Sequence, residues 1–87
     1  MKTFTPITKE LYCSQIEKVG SCTIHELDCQ FDLHFDVKRC IGGREELCIV
    51  GQDDSWIHVA WDAVIEITIM DGLAVVVVDQ NLFRKDV

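Results

Sequence analysis

The chain has 87 residues, a formal charge of −7, a near-half share of apolar side chains and a quarter charged. That length and composition describe one folded domain, residues 1–87, and exclude a disordered chain. The longest apolar run, Leu73 to Val78, is far too short for a membrane helix. The first residues, Met1 to Pro6, show no apolar signal stretch. The reading from these features is a soluble cytoplasmic protein of a bacterium or its host, with no membrane partner.

The charge is unevenly placed. Residues 19–83 hold three basic side chains, Lys38, Arg39 and Arg44, against twelve carboxylates. Direct nucleic-acid binding needs clustered Lys and Arg and is disfavoured, whereas a protein partner with a basic surface is favoured. Five cysteines at 13, 22, 29, 40 and 48 are odd in number and contain no C-x-x-C pair. Reduced, mostly buried thiols fit this pattern better than a disulfide framework.

In chain order, Thr5 and Pro6 read as the N-cap and first residue of a helix over about 6–19, with Gly20 as its stop. Leu11, Cys13, Ile16 and Val19 form its apolar stripe. The period then changes to 2, and a strand is predicted over about 22–40. Cys22 and Ile24 are apolar at even positions, but Leu27, Cys29, Phe31, Leu33, Phe35 and Val37 are apolar at odd ones. The parity switch at His25-Glu26 predicts a bulge or bend, followed by one long amphipathic strand over 26–38.

Gly42-Gly43 and Gln52 to Ser55 read as turns around a strand over about 46–51. Strands follow over about 56–61 and 63–70, with a tight bend or bulge at 62–64 between them. Asp71-Gly72 is a hairpin signal, and the returning strand over about 73–79 is apolar on both faces. The expected fold is α+β and sheet-dominated: one N-terminal helix and about five antiparallel strands. The sheet is either curled or closed into a small barrel, with the helix on one side.

The polar face of the long strand supplies the leading site. Alternate strand positions lie about 6.6–6.8 Å apart, and Glu26, Asp28, Asp32 and Asp36, joined by Gln30, share one such face, a row that can imitate a nucleic-acid backbone. Asp53 and Asp54 extend it, and Trp56 beside them is a candidate interface anchor. The plainer account of these carboxylates is a solvated outer face that blunts edge pairing. No catalytic residue, metal site or cofactor is expected. Cys22, His25 and Cys29 lack the spacing of a zinc knuckle, and Cys48 reads as a core thiol. No phosphate loop accompanies Gly42-Gly43.

The function expected from sequence is a non-enzymatic inhibitor that offers its acidic face to the basic groove of a nucleic-acid-handling protein. Viral and mobile-element proteins that block host defence act in this way. The alternatives are a small β-barrel assembly subunit that forms a homodimer through its apolar C-terminal strand, and a metal- or thiol-dependent domain.

Overall fold

The computed structural model describes residues 4–27, 32–79 and 83–86. Helix α1 (Pro6–Val19) starts and stops where the local chemistry requires. The Thr5 hydroxyl accepts the Thr8 N–H at 3.2 Å, and the Thr8 hydroxyl accepts the Thr5 N–H at 2.8 Å, a reciprocal cap. Gly20 ends the helix at φ 82°, in the left-handed region, and its N–H reaches the Ile16 carbonyl at 3.0 Å.

Two strands follow where one was expected. Strand β1 (Ser21–Glu26) ends in a turn at Leu27, and β2 (Asp32–Gly42) runs back antiparallel beside it. The register pairs Cys22 with Phe35, Ile24 with Leu33 and His25 with Asp32. The prediction of one strand over 22–40, and of a long amphipathic strand over 26–38, is therefore wrong. The parity switch has a different cause. In this register each even position of β1 opposes an odd position of β2, so a reversal moves the buried set from even to odd. A bulge lies later, between Val37 and Arg39, and it moves the buried set again, from Val37 to Cys40.

The remaining elements are β3 (Glu46–Gly51), β4 (Trp56–Ala60), a 3₁₀ turn over Trp61–Ala63, β5 (Val64–Met70), β6 (Leu73–Val78) and a short β7 (Phe83–Asp86). The expected bend at 62–64 falls on the 3₁₀ turn. Asp71 and Gly72 both take positive φ, 51° and 77°, as a two-residue hairpin turn requires.

The strand order is β5-β6-β1-β2-β3-β4-β7. β6 lies parallel to β1, and every other neighbouring pair is antiparallel. Six strands, β1 to β6, make the body of this mixed sheet, with β7 added beside β4. The α+β, sheet-dominated class stands; the sheet is mixed rather than wholly antiparallel and does not close into a barrel. β6 sits inside the sheet, so its edge is already paired.

One face of the sheet and the helix share a single core. Cys13 and Ile16 of α1 pack with Cys22, Ile24, Leu47, Ile49, Ile57, Val59, Val76 and Val78. The helix turns Ile7 and Leu11 to solvent, 79% and 54% exposed, so Leu11 does not belong to the buried stripe. Trp61 is buried in the 3₁₀ turn, packs on Phe4 with ring centroids 5.2 Å apart, and donates its indole N–H to the Gly43 carbonyl at 2.8 Å. No described helix is long and apolar enough to cross a membrane.

Candidate functional site

The helix-free face of the sheet carries the polar side chains, and the β1–β2 reversal decides which of them meet. On β2, Asp32, His34 and Asp36 are exposed at alternate positions. Four residues of strand place Asp32 and Asp36 roughly 13 Å apart on one face. Opposite them on β1 stand His25, Thr23 and Ser21. The His25 ring Nδ1 lies 2.6 Å from the Asp32 carboxylate, and the His34 Nδ1 lies 2.7 Å from the Thr23 hydroxyl. The Asp32 carboxylate thus already has a histidine beside it.

The expected row of four carboxylates does not exist as a row. Glu26 is on a different strand from Asp32 and has the parity of Cys22 and Ile24, so it belongs to the opposite face of β1. Asp28 lies outside the described residues. A strand that turns back cannot carry its outer face around the turn, which is why Glu26 leaves the set.

The turn between β3 and β4 folds over β2 and uses most of its own acids. Gln52 donates its backbone N–H to the Asp36 carbonyl at 3.1 Å and its side-chain N–H to the Val37 carbonyl at 3.2 Å. The Asp53 carboxylate accepts the Ser55 N–H at 3.1 Å and the Ser55 hydroxyl at 2.6 Å, an arrangement that stabilises the turn. Asp54, at φ 65°, pairs with the Lys38 ammonium at 2.9 Å. Docking this turn on β2 brings Asp36 and Asp53 to one open groove of about 310 Å³, with Leu33, His34, Phe35 and Ile57 in its lining. Asp36 and Asp53 thus line one groove, while Asp32 stands outside it, further along β2. Trp56 is 42% exposed but stands apart from them, on the outer side of β4, stacked on the His58 ring at 5.9 Å and 17°.

That stacking leads to a constellation the sequence did not reveal. Cys48 of β3 and His58 of β4 are direct cross-strand partners, and Glu46 lies two residues before Cys48 on the same side. The His58 Nδ1 is 3.3 Å from the Cys48 sulfur and 3.2 Å from the Glu46 carboxylate. Cys48 is only half-buried and faces away from the core, contrary to the expectation of a core thiol. The signal available in sequence was Glu-x-Cys on one strand, and it means nothing until the register with β4 is known.

The other described cysteines, Cys13, Cys22 and Cys40, are buried free thiols. Burial pushes the Cys22 thiol up to about 12. Cys40 is also pushed up, first by its hydrogen bond with the Cys13 thiol and then by burial. Burial and the nearby Glu46 carboxylate raise Cys48 as well. None of these three is a thiolate poised for nucleophilic attack. Cys13 and Cys40 line a second open pocket, about 560 Å³, between α1 and the end of β2, where Lys9, Glu17 and Arg44 also stand.

Comparison of the chain with protein-family models, with curated proteins and with solved structures finds no match.

Proposed function

We propose that this chain is a non-enzymatic binding protein that inhibits a nucleic-acid-handling partner by occupying its basic groove. The observation that carries the reading is the pair of carboxylates Asp32 and Asp36, exposed on the helix-free face of β2, with Asp53 lining a groove beside Asp36. The surrounding body of the chain, residues 19–83, has four carboxylates for every basic side chain. A partner that normally grips phosphates would present Arg and Lys to such a face, with on-rate and specificity drawn from charge complementarity.

The test is affinity capture from cells of the natural source, comparing the wild-type chain with the double variant Asp32→Lys/Asp36→Lys. A captured protein should be lost with the variant and displaced by added duplex nucleic acid. Capture that survives both changes would remove the basis for the reading.

A second reading, self-association, draws on the exposed Met70 and Leu73 at the β5–β6 hairpin, beside the half-buried outer side of Val75. Because the edge of β6 is paired on both sides, a dimer would use this outer face or the β5 edge. Light scattering decides: a dimer dispersed by Leu73→Lys supports it, and a monomer at high concentration rules it out.

A further inference from the structure

The three ligating side chains Glu46, Cys48 and His58 converge on one point between β3 and β4, outside the acidic cluster. One donor atom from each lies within 4.8 Å of the other two. We propose that they form a zinc site, with the Cys48 sulfur, the His58 Nδ1 and a Glu46 carboxylate oxygen as protein ligands and water in the fourth position.

The distances carry the proposal. Zinc bonds of about 2.3 Å to sulfur and 2.0–2.2 Å to nitrogen or oxygen, set at tetrahedral angles, separate neighbouring ligand atoms by roughly 3.3–3.7 Å. The sulfur-to-Nδ1 and Nδ1-to-carboxylate separations here are 3.3 Å and 3.2 Å. Two edges of the tetrahedron are thus close to the length zinc requires, and an ion can enter by small side-chain rotations. All three atoms are Lewis bases once the thiol has lost its proton.

The scaffold is suited to the task. The ligands rise from adjacent antiparallel strands rather than from a loop, and Cys48 and His58 are directly opposed. Trp56 stacks on the imidazole, which restrains its rotation. Partial exposure leaves an entry path and room for water at the fourth position. The donor set selects the metal class: thiolate with imidazole suits zinc or cobalt(II), whereas magnesium and calcium take oxygen ligands.

The experiment titrates chelator-stripped, fully reduced protein with cobalt(II), the spectroscopic stand-in for zinc. One equivalent should produce visible bands of tetrahedral cobalt and a sulfur-to-cobalt charge-transfer band, and it should quench the Trp56 emission. Zinc should abolish all three signals by displacement. Cys48→Ser should lose the charge-transfer band. Glu46→Gln alters only a partly exposed side chain and keeps the fold; it should weaken binding at least about tenfold, no less than loss of an outer-shell partner does. Cys29→Ser should bind as wild type does, which separates this thiol from the rest. No charge-transfer band at excess cobalt would overturn the proposal. So would a band that survives Cys48→Ser together with unchanged affinity in Glu46→Gln.

Discussion

Ile16→Ala tests how the helix is seated on the sheet. Ile16 is fully buried, at 0% exposure, in the one core shared by α1 and the sheet. The substitution removes three carbons, worth roughly 2.4 kcal/mol at about 0.8 kcal/mol each. A void of up to about 80 Å³ adds as much as about 2 kcal/mol at about 24 cal/mol per Å³, depending on how far the site collapses. Alanine regains a few tenths of a kcal/mol in helix propensity, so the net loss is about 2–4 kcal/mol. A domain of this size loses about 4–8 °C of Tm per kcal/mol, which makes the shift at least about 8 °C. Urea unfolding followed by tryptophan emission should show a lower midpoint at unchanged slope. Ile7→Ala and Leu11→Ala, on the solvent side of the same helix, should stay within about 0.5 kcal/mol of wild type. A loss below about 1 kcal/mol at Ile16, or an equal loss at Leu11, would falsify the packing of α1 described above.

Two further outcomes follow from close contacts and buried thiols. A Cβ at Gly42 would stand 3.1 Å from the Cys13 sulfur and 3.2 Å from the Lys9 carbonyl oxygen, where the helix backbone has little room to move. Gly42→Ala should cost about 1–3 kcal/mol in urea unfolding, and a neutral result would show that the helix can shift. The raised Cys22 thiol gives an alkaline signature. Its folded value of about 12 exceeds the unfolded 9.0, so its stabilising contribution is complete below pH 9 and is lost as pH climbs towards 12. The loss amounts to roughly 1 kcal/mol by pH 10. Cys22→Ala should flatten that part of the stability–pH curve, and an unchanged slope would contradict the burial of this thiol.

Local chemistry made some elements legible and left others hidden. Thr5-Pro6 and Gly20 mark both ends of α1, and Asp71-Gly72 marks the last hairpin, because each motif acts through its own backbone. The β1–β2 reversal is hidden in the sequence because a bulge and a turn with an even–odd register leave the same parity switch. The alternation through Leu27, Cys29 and Phe31 also continued without a Gly or Pro to break it. The parallel pairing of β6 with β1 joins segments some fifty residues apart and has no local trace. The run Leu47, Cys48, Ile49 and Val50 is apolar throughout, so it does not say which face is buried, and the sequence places Cys48 in the core for want of alternation. Of the expected site, Asp36 and Asp53 line one groove, and Asp32 lies on the same face of β2 as Asp36 but outside that groove. Asp54 is held by Lys38, Glu26 turns to the other face, and Trp56 belongs beside His58.

The binding reading stands or falls most directly on the salt dependence of the complex with the captured partner. The logarithm of affinity should fall linearly with the logarithm of salt concentration, because the partner's basic side chains replace bound counterions. The slope should shrink in Asp32→Lys/Asp36→Lys. An affinity that is flat in salt, and equal in wild type and variant, would contradict the proposed acidic face.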